Sequence, residues 1–289
     1  MIVVTGAGHV VLDGPDATCD PTAFLKVRKS RKFMGVQDDL AVVAAGRALA
    51  SAGLGRGAMG ERAGLYLAVG YIPFEQADIG PVLEASMQDG RFSMSRFGGG
   101  GFQRAHPLVT FRCLPNMPAY HVSVNFDVQG PYLVTYPGAA QLYLALEEAN
   151  AALGAGDIDV ALVGGVAHQR NFLVRHHFGR LVPPVASERL CDAAGVLVLE
   201  RDEHARARGR EPRGRLESMA IAYEPFDPFV AMPLHDERLE ASERALTGDR
   251  ELGPASLAVA LSRAWESGPA RVVHELTSRD GVRASSVWS

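Results

Sequence analysis

Short β-prone apolar runs alternate along the chain with longer stretches in which apolar residues recur every three or four positions. The second pattern is that of an amphipathic helix, and it is clearest over residues 138–153, where Leu142, Leu146 and Leu153 share one face. Further helices are predicted over residues 36–52, 78–88, 104–114, 117–127 and 255–265. Strands are predicted over residues 2–5, 65–69, 132–136, 159–163, 196–200, 215–222, 271–276 and 282–287. This alternation predicts an α/β protein with a mixed sheet.

No clear linker interrupts the alternation, so we predict a single domain over residues 1–289. It divides into a long first half, residues 1–210, and a reduced second half, residues 211–289, which closes with a hairpin around Asp280-Gly281. Residues 224–254 have too little periodicity to predict any element.

Charge and composition exclude several classes of function. The chain has 29 basic and 33 acidic residues, a balance that argues against a general nucleic-acid binder. No apolar run approaches the ~18 residues of a membrane helix, and the first residues lack the basic region of a signal peptide. The three cysteines, Cys19, Cys113 and Cys191, are odd in number and far apart, which predicts neither a disulfide framework nor a zinc site. We therefore expect a cytoplasmic protein without membrane contact.

The most specific motifs lie between residues 115 and 165. They are Pro115-Asn-Met-Pro-Ala, His121-Val-Ser-Val, Gly130-Pro131 and, after a strand and a helix, a buried strand that reaches Gly164-Gly165. Three more pieces occur in matching order: Val-Val-Thr-Gly-Ala-Gly at the start, a helix near residues 34–54, and the run from Asp192 to Glu200 with the helix after it.

In this order the motifs resemble the β-ketoacyl synthases of the thiolase fold, over residues 1–222. The resemblance implies a layered αβαβα architecture with mixed sheets, in which the second half is shortened. Active members of that family carry an acyl chain on a cysteine in the turn after the Gly-Pro strand, where a helix amino terminus favours the thiolate.

The chain departs from the family at this turn. Counted from Gly130-Pro131, the cysteine position falls on Ala139. A shift of one or two residues would place Gly138, Ala140 or Gln141 there, and none of these side chains is a nucleophile. We therefore predict no catalytic residue at this turn.

The two histidines that the family uses for condensation are also missing. After residue 200 the histidines are His204, His235 and His274, and none lies in a His-Gly-Thr or Gly-His turn. The resemblance is thus to chain-length factors of type II polyketide synthases, especially of polyene-type, highly reducing systems. It implies a heterodimer with a full-length ketosynthase, whose acyl tunnel this chain would close, and no cofactor of its own. The acyl-phosphopantetheine of an acyl carrier protein would be presented to the partner.

The resemblance also implies three groups of site residues. The tunnel floor is expected on the helix before Pro115 and the turn after it, at Leu108, Phe111, Arg112 and Met117. The partner interface is expected at Tyr120, Val122, Val124, Phe126, Tyr132 and Tyr136. A basic segment would dock the acidic carrier protein, unless it is only a solvated loop, through Lys26, Arg28, Lys29, Arg31 and Lys32.

Two other functions stay open. The chain could be a stand-alone acyltransferase or hydrolase that reuses the fold, with Ser123 and His121, Cys113 and His106, or Ser187 and a nearby histidine as nucleophile and base. It could also be a purely structural, degenerate ketosynthase. No metal site is expected, because the adjacent His176 and His177 diverge too much to share one ion. The glycine run in the predicted loop over residues 90–101 lacks the Lys-Ser/Thr of a phosphate-binding loop.

Overall fold

A nine-stranded mixed sheet with helices on both faces forms the framework of the protein. The structure, a computed structural model, describes residues 1–12, 14, 16–224, 235–241, 249–266, 268 and 271–289. Its strands are β1 Ile2–Leu12, β2 Ala63–Val69, β3 Met87–Gln88, β4 Arg91–Phe92, β5 Tyr132–Thr135, β6 Val160–Ala167, β7 Asp192–Arg201, β8 Gly214–Tyr223, β9 His235–Ala241, β10 Val272–Ser278 and β11 Val282–Trp288. Its helices are α1 Val36–Ala52, α2 Gln76–Ser86, α3 Met94–Gly99, α4 Val109–Cys113, α5 Met117–Phe126, α6 Gln141–Ala155, α7 Phe172–Gly179, α8 Asp202–Ala207 and α9 Ser256–Glu266.

The order of strands in the sheet is β5-β2-β6-β7-β1-β8-β11-β10-β9, and β3 pairs with β4 in a separate hairpin. Strands β5, β2 and β6 are parallel, whereas the other neighbours are antiparallel. Helices α1 and α5 pack on one face of the first part of the sheet. Helices α6 and α9 pack on its other face and also contact side chains of β10 and β11, so they lie between the two parts of the sheet. This is the layered, thiolase-like α/β fold predicted from the sequence.

Glycines inside two strands explain why both strands are longer than predicted. The predicted strand over residues 2–5 continues through Gly6 and Gly8 to Leu12. A side chain at Gly6 would place its Cβ 2.6 Å from Ala52 N on α1, and at Gly8 it would overlap the backbone of Ala48. Strand β6 likewise continues past Gly164-Gly165. These glycines are therefore close-approach positions within strands and not strand ends.

The other differences lie between β2 and α5 and after β6. The helix predicted over residues 104–114 is reduced to Val109–Cys113, because Pro107 and Pro115 bracket it. The predicted loop over residues 90–101 contains helix α3, whose Ser93 side chain accepts a hydrogen bond from Arg96 N. Helix α7 and strand β9 were not predicted. Of the segment 224–254, residues 225–234 and 242–248 lie outside the described residues.

The contact between β1 and α1 gives a first testable prediction. Gly8→Ala should lower the free energy of unfolding by about 1–3 kcal/mol, because the new methyl group has to displace the backbone of α1. Urea unfolding followed by circular dichroism measures the loss. Gly55→Ala is the matched control, since a methyl group there meets nothing within 4 Å. Equal stability of the two variants would contradict this account of the strand.

Candidate functional site

The turn between β5 and α6 forms a strand-to-helix elbow at the carboxyl end of the parallel strands. The chain leaves β5 at Thr135 and enters α6 at Gln141, and Thr135 Oγ1 donates a hydrogen bond to Gln141 O at 2.8 Å. Ala139, the position predicted for the missing nucleophile, is half-buried in this elbow. The methyl group of Ala139 cannot form a thioester, and the neighbouring Gly138 and Ala140 have no reactive side chain either.

A cavity of about 390 Å³ lies over the elbow. Gly138 and Ala139 form one side, and the aromatic residues Tyr71 and Phe178 are part of its apolar wall. The segments that follow β2, β5 and β6 meet here, because the carboxyl ends of parallel strands share one edge of a sheet. The second half of the chain contributes polar side chains from segments 251–253 and 278–280.

Hydrogen bonds fix the polar wall of this cavity. Gln169 Nε2 donates to Glu251 Oε1 at 3.3 Å, and Gly253 N donates to the same oxygen at 2.9 Å. Gln141 Nε2 donates to Asp280 Oδ2 at 3.1 Å, which ties the elbow to the turn between β10 and β11. The elbow is therefore hydrogen-bonded to the second half of the chain. The sequence pattern does not predict this contact, because the two side chains are far apart in sequence.

Burial favours the neutral form of two titratable side chains in the cavity wall, Tyr71 and His177. Burial raises the pKa of Tyr71 to about 12, so its phenol stays protonated. Burial also lowers the pKa of His177, which favours the neutral imidazole. The ring of His177 lies against that of Tyr71 at a tilt of 47°, with ring centroids 4.9 Å apart. The site thus offers hydrogen-bonding groups without an activated nucleophile.

The histidines after residue 200 lie away from this cavity wherever their side chains are described. His204 Nδ1 is 2.6 Å from Glu200 Oε2, and the ring of His274 is hydrogen-bonded to Tyr143 Oη at 2.7 Å. Neither lines the cavity, and the side chain of His235 is outside the described part of the chain. His177 does line it. Sequence reasoning missed this residue because it considered the pair only as a metal site, and nothing in the sequence places α7 beside the elbow.

The nucleophile–base pairs of the alternative enzyme are not formed. Ser123 Oγ donates its hydroxyl proton to the backbone oxygen of Val128 at 2.6 Å and not to His121. The ring of His106 accepts a hydrogen bond from Arg112 Nη2 at 2.8 Å. Ser187 and His168 both line a second cavity of about 500 Å³, but no hydrogen bond joins these two described side chains. None of these pairs is therefore hydrogen-bonded in the described part of the chain.

The four residues predicted for a tunnel floor divide into exposed and covered ones. Phe111 is 46% exposed and packs edge-on against Phe33, with ring centroids 5.8 Å apart. Leu108 is half-buried next to it. Arg112 is held within the chain by Asp78, 3.4 Å away. Met117 was predicted to form part of a wall for another subunit. Its side chain is instead buried within its own chain.

The predicted interface residues also separate by their side of helix α5. Tyr120 and Val124 are exposed, whereas Val122 and Phe126 are buried in the core beside α1. The prediction for Val122 and Phe126 is wrong, because the helical period places these two residues on the face opposite Tyr120 and Val124. The other two residues of the predicted interface are Tyr132, on strand β5, and Tyr136, just after it. Both are exposed, Tyr132 at 71% and Tyr136 at 40%.

A second exposed apolar surface was not predicted. It lies on the segment that runs from α2 through α3 to the turn after α3, and we name it the 83–102 cluster. Its exposed members are Leu83, Met87, Phe92, Met94 and Phe102. The half-buried Phe97 joins two of them, with ring centroids 5.8 Å from Phe92 and 6.3 Å from Phe102. Large apolar side chains exposed together in this way are typical of an interaction surface.

The basic segment is partly committed to ion pairs within the chain. Lys26 Nζ lies 2.6 Å from Asp127 Oδ1, and Arg31 Nη2 lies 2.6 Å from Asp39 Oδ2. Burial raises the pKa of Asp39 to about 7 in spite of this arginine. Arg28, Lys29 and Lys32 are exposed and remain candidates for docking an acidic partner.

Neither metal ligands nor a membrane span is found in the described ranges. Among these residues no three His, Cys, Asp or Glu side chains converge as they would around a metal ion. No helix in the same ranges is both long and apolar enough to cross a bilayer.

The layered sheet and the strand-to-helix elbow define a protein of the thiolase-like class. Residues 5–205 match the family described as Beta-ketoacyl synthase, N-terminal domain, and the chain belongs to this family. It is 28% identical over 165 residues to Nodulation protein E of Rhizobium leguminosarum bv. trifolii. That match covers 53% of the chain and 40% of the relative, so the chain matches less than half of the length of this relative.

Solved ketosynthase structures have the same fold. A chain from "AntDE:AntF (apo): type II PKS acyl-carrier protein in complex with its ketosynthase bound to the hexaketide" superposes with a TM-score of 0.73 at 16% identity, over 100% of this chain and 98% of that one. A β-ketoacyl synthase from Burkholderia phymatum STM815 gives 0.56 at 20% identity, with 78% and 66% covered. The ishigamide ketosynthase/chain length factor gives 0.54 at 22% identity, with 77% and 64% covered.

Thiol chemistry tests the absence of a nucleophile. Burial raises the pKa of Cys19 to about 11 and also raises that of Cys113, while Cys191 is buried. Because the thiolate is the reacting species, the native protein at pH 7.5 should react with iodoacetamide at less than about one hundredth of the rate of free cysteine. Intact-mass spectrometry measures this, and urea-unfolded protein, which should take up three labels, is the control. Rapid stoichiometric labelling of native protein would show a reactive thiol.

Proposed function

We propose that the chain is a non-catalytic partner subunit, a chain-length factor, of a β-ketoacyl synthase in type II polyketide biosynthesis. The observation that carries the proposal is the elbow itself. Counted from Gly130-Pro131, its position for the acyl-accepting residue is Ala139, and the residues within one or two positions of it are not nucleophiles either. The resemblance to active family members implies a thiol there. The cavity beside it has a neutral imidazole but no thiol among its described lining residues. Condensation would therefore take place on the partner.

The exposed surface supports a protein partner. Among the described strands, β5 lies at one edge of the sheet and pairs with β2 on one side only. Tyr132 on this strand and Tyr120 on α5 expose aromatic rings, which are enriched where proteins bind each other. The 83–102 cluster adds more apolar surface in the same half of the chain. A heterodimer with a full-length ketosynthase would cover these side chains.

Two of the structural relatives support this choice of partner. One belongs to a complex described as a type II polyketide synthase carrier protein with its ketosynthase, and our chain covers 98% of that relative. Another is described as a ketosynthase/chain length factor. By analogy, an acyl carrier protein would present its acyl-phosphopantetheine to the partner, and Arg28, Lys29 and Lys32 would attract it. The pair would work in the cytoplasm, where cysteine thiols stay reduced.

Phe111 is the residue best placed to limit chain length. It is exposed, so it can form part of a wall in another subunit, and its contact with Phe33 holds the ring in place. A growing acyl chain that meets such a ring would have to displace packed side chains, at a cost of about 1–3 kcal/mol. Leu108 would form the neighbouring part of the same wall.

The interface prediction is tested with a charge on the edge strand. Tyr132→Asp should weaken the complex with a co-expressed ketosynthase from the same gene cluster by at least about thirtyfold, because a carboxylate would be buried against apolar surface. Size-exclusion chromatography and affinity co-purification measure the complex. Tyr223→Asp, at a residue that is 70% exposed at the end of β8, is the control and should leave the complex intact. A wild-type chain that stays monomeric beside the ketosynthase would overturn the proposal.

The chain-length prediction uses the reconstituted pair with carrier protein and malonyl units. Phe111→Ala should lengthen the products by about two or three methylenes at normal turnover, because the loss of the ring opens the wall while the partner keeps its own catalytic residues. Val182→Ala, another exposed apolar position, is the control. Product mass spectrometry measures the outcome. Unchanged products with Phe111→Ala would place the wall elsewhere, and loss of all condensation would assign Phe111 to the interface.

A further inference from the structure

The second cavity, of about 500 Å³, lies beside the amino-terminal end of α1. Its wall comes from the end of β1 and the loop after it, the first turn of α1, the segment after β6, helix α7 and the start of β7. It shares no described lining residue with the cavity over the elbow. Its volume is within the usual range for small-molecule sites, and no step of the proposed partner role uses it.

Ion pairs within the chain hold the wall of this cavity in place. Asp192 accepts hydrogen bonds at 2.8 Å from both the backbone N and the Nε of Arg170. The same guanidinium donates to Ala17 O at 3.3 Å, which ties the loop after β1 to the start of β7. Arg31 Nη2 lies 2.6 Å from Asp39 Oδ2. Each of the two carboxylates among the described lining residues therefore already has its own arginine.

Three further side chains in the wall keep their donors available to a ligand. Arg175 on α7, Thr18 and Ser187 all line the cavity, and all three residues are exposed. Their side chains make no hydrogen bond or ion pair with any described residue. Because the other two guanidiniums in the wall are matched by carboxylates, Arg175 leaves the described wall with a net positive charge. The cavity therefore favours an anion.

The set of donors fits a phosphate group better than a carboxylate. A guanidinium can bind two oxygens of either group. A phosphate monoester has a third terminal oxygen and about 1.5–2 negative charges at pH 7, whereas a carboxylate has two oxygens and one charge. The hydroxyls of Thr18 and Ser187 can donate to the third oxygen. Leu12 and Val36 give the wall an apolar part against which an organic group can pack.

We propose that this cavity binds a small organic phosphate monoester. The guanidinium of Arg175 would bind two of the phosphate oxygens, and the hydroxyls of Thr18 and Ser187 would donate to the third. The organic group would lie against Leu12 and Val36. The site is built from this chain alone, so its binding can be measured without a ketosynthase.

Three probes with the same ring test the chemistry on the full-length chain in phosphate-free buffer. Phenyl phosphate carries the monoester, benzoate carries a carboxylate, and benzyl alcohol is neutral. Isothermal titration calorimetry should show saturable binding of phenyl phosphate, at least about tenfold tighter than benzoate, because the phosphate has more charge and one more acceptor oxygen. Benzyl alcohol should show no saturable binding. Absence of saturable phenyl phosphate binding, or equally tight binding of benzoate, would overturn the proposal.

Two arginine variants locate the site. Arg175→Gln should weaken phenyl phosphate binding at least about tenfold, because it removes the unmatched guanidinium. Arg180→Gln is the matched control: it removes the same charge from an exposed residue just after α7 that does not line the cavity, and binding should be unchanged. Thermal unfolding checks that both variants are folded. Equal weakening by the two variants would indicate a general attraction for anions and refute the site.

A hydroxyl variant and the ketosynthase complex complete the test. Ser187→Ala keeps every charge and should weaken phenyl phosphate binding about threefold, through the loss of one hydrogen bond. Unchanged binding by both Ser187→Ala and Arg175→Gln would place the phosphate elsewhere and refute the site. Arg175→Gln should still co-purify with the ketosynthase. The binding site and the proposed partner role can therefore fail separately.

Discussion

Close packing of backbone on backbone, through glycine, is the constraint on which this structure depends. On one face of the sheet Gly6 and Gly8 let α1 approach β1, and on the other Gly165 and Gly195 let the segment before α9 and α9 itself approach β6 and β7. A Cβ at Gly195 would lie 2.7 Å from Val259 N. On the α9 side this close approach brings the segment at residues 251–253 against β6, where it forms part of the wall of the cavity over the elbow.

Local pattern was sufficient to predict most elements but not the wall of the site. The period of α6 and the alternation of β5 are properties of neighbouring residues, so both could be predicted, and so could the elbow between them. The glycines of β1 and β6 were misinterpreted as strand ends, because a glycine's role depends on what packs against it. The polar wall could not be predicted, since Gln169 and Glu251 are far apart in sequence and meet only in the fold. The rule that ligands bind at the carboxyl ends of parallel strands could have indicated Tyr71 and Gln169.

Burial opposes the ionisation of several side chains in this protein. An enzyme activates a group by placing an opposite charge or a helix terminus beside it. Beside the elbow, burial instead opposes ionisation of two side chains: it raises the pKa of Tyr71 and lowers the pKa of His177. The same environment strengthens hydrogen bonds to neutral groups.

The two edges of the nine-stranded sheet differ in a way that indicates which one meets a partner. Strand β9 at one edge has the sequence His-Asp-Glu-Arg-Leu-Glu-Ala, with four charged residues in seven positions, a common device against pairing with another chain. Strand β5 at the other edge, Tyr-Leu-Val-Thr, has no charge and no proline. Its exposed Tyr132 adds apolar surface at this edge. The β9 edge has charged residues that disfavour pairing with another chain, and the β5 edge has none. We therefore expect the proposed partner subunit at the β5 edge.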